Sequence, residues 1–173
     1  DKGSDNDDDE RGRQRFTGGH SSGLNVEVPN KRDNHPAAGI IDQARQTTAS
    51  KPLFDDPIYH GAADPVIIYN KKVKKWWMFY TNRRASIEDS TVAWVHGTSI
   101  GIAESKDGLH WQYKDTANIN YRANEGYTFW APDVIEHNGI YHMYLTYVPG
   151  VFKDWNHPRE IIHLTSKDLL NWK

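Results

Sequence analysis

Ser105-Lys106-Asp107-Gly108-Leu109-His110-Trp111 returns as Ser166-Lys167-Asp168-Leu169-Leu170-Asn171-Trp172, at an offset of 61 residues. Self-similarity at a fixed period marks an architecture assembled from copies of one supersecondary unit. Each copy closes the same order of parts: an Asp beside a Pro (Asp64-Pro65, Pro132-Asp133), an apolar strand, a polar turn, an aromatic strand ending in Tyr80-Thr81 or Leu145-Thr146, and a third strand at 100–103 or 161–164. The runs are short and rich in Val, Ile, Tyr, Trp, Phe and Thr, residues that fit a pleated, half-buried surface. They predict strands near 65–69, 75–81, 98–104, 109–113, 132–136, 140–147, 160–165 and 171–173. Turn residues separate them at Asn70-Lys71-Lys72, Lys106-Asp107-Gly108, His137-Asn138-Gly139 and Lys167-Asp168.

The fold class is therefore all-β, with two four-stranded antiparallel units in succession. Repeated units of this kind are the blades of a β-propeller, which closes with about four to eight of them. Two cannot close, so residues 51–173 are expected to be the truncated first part of such a domain, continued elsewhere or completed by a homo-oligomer. Residues 1–50 read as an irregular N-terminal arm, because Asp5-Asn6-Asp7-Asp8-Asp9-Glu10 and its surroundings offer almost no apolar surface to offset ordering entropy. One short helical turn is expected at 39–46.

Composition narrows the function classes. A formal charge of -2 gives no basis for nucleic-acid binding, and Lys71, Lys72, Lys74 and Lys75 read as a solvated turn. No stretch reaches the roughly 18 apolar residues of a spanning helix. The chain starts without Met and has no Cys, both compatible with export, and a secreted or periplasmic location is expected. Seven Trp and nine Tyr exceed the needs of a core this size; sugar clefts use such rings to pack the C–H faces of pyranoses.

Asp64-Pro65-Val66-Ile67-Ile68-Tyr69, followed by Trp76-Trp77-Met78-Phe79-Tyr80-Thr81, resembles the opening of the first blade in family 43 glycoside hydrolases and related five-bladed propeller glycosidases. Phe129-Trp130-Ala131-Pro132-Asp133-Val134 and the strand Gly139 to Tyr147 are similar to that family's second blade, so the resemblance covers about residues 60 to 173. It implies acetal hydrolysis of plant or algal oligo- or polysaccharide by two carboxyl groups, with inversion and without a cofactor. Asp64 would be the general base. In related family 32 propellers the matching Asp is a nucleophile, so its role depends on the carboxyl separation. The resemblance puts the acid and a third, tuning carboxylate in later blades, beyond Lys173. Glu125 is the nearest local substitute, and Asp56-Pro57 competes with Asp64-Pro65 for the first-blade position. A glycan-binding propeller without catalysis is the second reading.

Around Asp64, the candidate substrate-binding residues are Trp130, Asp133, Trp94, His96, Arg83 and Arg84. Asp133 has two open roles, a sugar-hydroxyl partner or a backbone cap, and Trp130 is either pocket wall or core. The insertion from Asn82 to Thr98 is longer than a hairpin needs, and such loops often line sites. Its Arg pair could grip a carboxylate or sulfate, or form surface salt bridges; His96 could hydrogen-bond a hydroxyl. The histidines show no zinc-ligand spacing, so no metal site is expected in this stretch. Related propellers sometimes hold a calcium or other ion in the channel.

Overall fold

The structure, a computed structural model, describes residues 48–122 and 126–173. The helical turn expected at 39–46, and Glu125, lie outside the described residues. Among the described residues there is no α-helix, only the short 3-10 turn Ala93–Val95.

The first sheet is an antiparallel meander of β1 (Ala62–Asn70), β2 (Lys75–Asn82), β3 (Ser99–Ser105) and β4 (Gln112–Thr116). The second contains β6 (Thr128–His137), β7 (Ile140–Val148) and β8 (Glu160–Ser166), again in chain order. Between the two, β5 (Asn118–Ile119) pairs in parallel with β9 (Asn171–Trp172). The strand expected at 171–173 is thus found at Asn171–Trp172 and pairs with β5, leaving three strands in the second sheet among the described residues, while Lys173 exchanges both backbone hydrogen bonds with Thr165. That pair sits at the register of Gln112 against Glu104 in the first sheet.

The repeated heptapeptides form one turn twice. Ser105 Oγ accepts from Asp107 and Gly108 N–H, Asp107 Oδ1 accepts from Leu109 and His110 N–H, and Trp111 Nε1 donates to Gly108 O. Ser166, Asp168 and Trp172 repeat this network bond for bond. Gly108 takes φ 75°, a left-handed conformation open to glycine, and its counterpart Leu169 holds φ 66° although it carries a side chain. Leu169 is fully buried in the core, which offsets that strain.

The core lies between the sheets. Trp77 and Phe79 of β2, with Ile100 and Ile102 of β3, meet Val134 of β6, Met143, Leu145 and Tyr147 of β7, and Leu164 of β8. Strand alternation sends Met78 and Tyr80 to the opposite face, against Phe54, Ala103 and Trp111. By repeat position, β2 Phe79 and Thr81 correspond to β7 Tyr144 and Thr146, because Val66 pairs with Phe79 and Asp133 with Tyr144 just past matching bulges. Phe79 faces the core, yet Tyr144 is exposed with Ile135 and Ile161. Unlike faces meet, so the sheets are related by a rotation that can be repeated, not by a two-fold sandwich. Gly101 fits this packing because a Cβ there would fall 2.3 Å from the Tyr80 ring.

Asp56 ties the segment before β1 to the first sheet. It is fully buried, accepts from the Tyr80 hydroxyl and takes the Ile58 and Tyr59 N–H groups on Oδ1. Burial, then the bond to Asp56, pushes the Tyr80 phenol well above its ordinary range. Removing the carboxylate leaves buried donors unpaired, so Asp56→Ala is expected to cost about 3 kcal/mol in urea unfolding of the full-length protein, against no measurable loss for exposed Asp55→Ala. A small effect at Asp56 would show that packing alone holds this segment.

Candidate functional site

Both sheets carry a β-bulge at the start of their first strand. In β1 the register shifts between Ala63 and Val66, and in β6 between Trp130 and Asp133. Each bulge holds a residue at positive φ directly before a proline: Asp64 at 52° in β1, Ala131 at 46° in β6. Proline is tolerated there because a bulge asks for one ladder N–H fewer. The structure therefore aligns Asp64 with Ala131 and Asp133 with Val66, and the two Asp-Pro neighbours noted in the sequence are not equivalent. A bulge re-aims its side chain out of the alternating pattern. In the first sheet the re-aimed side chain is a carboxylate; in the second it is a methyl group.

Thr81, fully buried at the end of β2, joins the two bulges. Its Oγ1 accepts the Ala131 N–H at 2.8 Å and donates to Asp64 Oδ2 at 3.2 Å. Arg83 Nη2 donates to the same oxygen at 3.2 Å. Gly61 lets the backbone of Arg83 come this close, since a Cβ at 61 would lie 1.7 Å from Arg83 O.

Asp64, Arg83, Trp94, Trp130, Trp155 and Arg159 line a cleft of about 460 Å³, with Val95, Ala131 and Thr146 completing its wall. Its parts come from the bulges and from the loops that follow β2 and β7, all at one end of the sheets. Trp130 Nε1 donates to Val95 O at 2.6 Å, fixing its ring at the boundary between wall and core. Trp155 lies 6.1 Å from that ring and is half exposed, and the Arg83 guanidinium lies 5.8 Å from the Trp94 ring. Asp64 is the only carboxylate among the described residues that line this cleft.

Of the residues singled out in sequence, the structure brings together Asp64, Arg83, Trp94 and Trp130. Three others lie apart from the lining. Arg84 turns inward, its Nη2 donating to Ala93 O. Asp133 is exposed on the outer face of β6 beside Tyr144, outside the cleft. His96, 1% exposed, sits under the floor with its ring edge-on to Trp130 and Phe152. Asp56 is part of the buried Tyr80 pair. Trp155 and Arg159 were missed, because the loop from Pro149 to Arg159 carries no repeat or periodicity; its Trp followed by an Arg four residues on was the one available sign.

Burial pushes the His96 imidazole below its ordinary value of 6.5, with a backbone contact to Asp154 opposing the shift. His157 and Arg159 nearby act in the same direction as burial. The folded state thus binds its proton less readily than the unfolded chain, so this contribution is complete above about pH 6.5 and is lost as pH falls below it. Thermal unfolding of the full-length protein is expected to drop from pH 7.5 to 5.5, with a shallower drop in His96→Asn. Equal slopes would assign the acid sensitivity to another group.

No family model and no curated protein sequence matches the chain. Solved structures do. An N-acetylgalactosamine deacetylase from F. plautii, in complex with blood group B trisaccharide, matches with a TM-score of 0.55 and 17% identity, over 70% of this chain and 31% of its own. A family 117 glycoside hydrolase from the marine bacterium Zobellia galactanivorans matches with a TM-score of 0.53 and 16% identity, over 65% and 37%. A thermostable family-43 glycoside hydrolase matches at 0.46 and 21%, over 69% and 34%. The chain spans about a third of the length of these structures. At these identities the first two establish a shared fold and nothing finer.

Proposed function

We propose that this chain is part of a five-bladed propeller glycoside hydrolase acting on plant or algal oligo- or polysaccharide, with Asp64 as a catalytic carboxylate. The observation that carries the reading is the placement of Asp64. A bulge and a left-handed backbone aim its carboxyl group into a cleft lined by three indoles. Aromatic planes pack the apolar faces of sugar rings, and a carboxylate among them can activate a water or attack an anomeric carbon. The fold it shares with a glycoside hydrolase from Zobellia galactanivorans fits the same class.

In this reading Thr81 and Arg83 fix Oδ2 through two hydrogen bonds, holding the carboxyl orientation. Oδ1 has no hydrogen bond among the described residues and is the oxygen offered to a nucleophilic water. Acetal cleavage with inversion needs a second carboxyl group about 6.5–9.5 Å away to protonate the leaving oxygen. Later blades would supply it.

A second reading, glycan binding without hydrolysis, draws on a specific observation: the cleft holds one carboxylate among the described residues, and it is already paired with Arg83. The two readings separate in hydrolysis of aryl glycosides and plant and algal oligosaccharides by the full-length protein. Asp64→Asn is expected to lower kcat by about 10²- to 10⁴-fold with folding intact. Glycan binding by the wild type with no turnover of any substrate would establish the second reading instead.

A further inference from the structure

The cleft's charge is unbalanced. Two guanidinium groups, Arg83 and Arg159, line it with a single carboxylate, Asp64. That carboxylate is bonded to Arg83. Arg159 faces no carboxylate among the described residues; its Nη2 donates to Trp155 O at 2.7 Å and its Nη1 to His157 O at 3.2 Å. Some other cations of the described residues are answered by carboxylates, Lys71 by Glu136 and Lys75 and Lys114 by Glu104.

The carbonyl contacts orient Arg159 without neutralising it. Its guanidinium lies over the Trp130 ring at 5.4 Å, so a rigid aromatic plane backs it on one side. Of the five N–H donors in a guanidinium fork, two are used by carbonyls of its own loop and three stay available. A fork held on an aromatic wall, with charge unanswered and donors to spare, suits a planar or tetrahedral oxyanion. Neutral hydroxyls would satisfy the donors but not the charge.

We infer that the saccharide taken by this cleft carries an anionic group, carboxylate or sulfate, which Arg159 receives through its guanidinium fork. The inference rests on the carbohydrate reading above and adds the substrate's charge. Arg159 is then a specificity residue that touches substrate away from the reacting bond, while Asp64 serves the bond itself. It also changes the roles expected of the sequence's own arginine pair: Arg83 orients Asp64, Arg84 supports the loop, and the anion falls to a residue from the loop after β7.

The test uses the full-length protein on plant and algal uronides and sulfated galactans, each beside its methyl-esterified or desulfated counterpart. Hydrolysis is followed for the wild type, and binding by calorimetry in the Asp64→Asn background. The anionic member of a pair is expected to be preferred by about 10- to 100-fold, with the preference shrinking as salt is raised. Whether the uronide or the sulfated pair shows it identifies the anion. Arg159→Gln is expected to bring the ratio near unity and Arg159→Lys to leave it intermediate, which a merely collapsed loop would not do; Lys72→Gln, at the opposite end of the sheet, should leave it unchanged. Equal handling of both members, or a preference that survives Arg159→Gln, overturns the inference while hydrolysis of neutral sugars keeps the glycosidase reading. Anionic preference in binding with no hydrolysis of any substrate supports the inference and removes the catalytic role. A protein that neither binds nor cleaves any of these saccharides overturns both.

Discussion

One hydroxyl group sets the relation between the sheets and the site. Thr81 receives the Ala131 N–H and passes its own proton toward Asp64, so a single side chain registers one bulge against the other. Thr81 itself is fully buried and both bonds are partly shielded from water, where an unmade partner costs more than at the surface. Around it the cleft takes its composition: Arg83 follows two residues later, just past the end of β2, and Trp130 precedes Ala131 in the next sheet. Site and inter-sheet packing are in this sense one construction.

The core explains why that registration holds. Trp77, Phe79, Ile100 and Ile102 present large rigid shapes to Met143, Leu145 and Tyr147 across the interface. Trp172 adds an edge-on contact with Phe79 at 5.8 Å, so the turn that closes the second repeat also seals the gap between sheets. Asp168 in that turn is partly desolvated, yet hydrogen bonds from Asn171, Leu170 and Ser166 bring its carboxyl group down to about 2. The turn is thus kept in its ionised, fully bonded form across neutral pH.

Much of the fold was legible because it is written as repetition. The Ser-x-Asp turns, the aromatic strands and the Trp-Ala-Pro-Asp stretch all fall near their expected places, and the short runs rich in aromatic and β-branched residues mark β2 and β7. The fourth strand of the first sheet, expected at 109–113, begins at Gln112 because the heptapeptide is still turning up to Trp111, and the strand expected at 171–173 pairs with β5 instead of β8. The site was legible where it lies on regular structure, as with Asp64 and Trp130. Trp155 and Arg159 were not, because an irregular loop is placed by tertiary packing against Trp130 and His96, of which the linear sequence holds no trace. Pairing Asp64 with Asp133 by sequence failed for a geometric reason: proline follows the positive-φ residue in both bulges, so the alignment runs through the prolines and not the acids.

The Thr81 link also bears on how such a chain can be cut and recombined. A repeat protein invites exchange of whole units, with the seams drawn between sheets where the chain crosses over. Here such a seam would separate Thr81 from Ala131 and leave the acid without the neighbour that registers it. The heritable module is therefore offset from the visible one: it begins inside one sheet and ends inside the next. Grafts that respect this phase carry the orientation of the carboxylate with them, and grafts that follow the sheet boundaries carry only its identity.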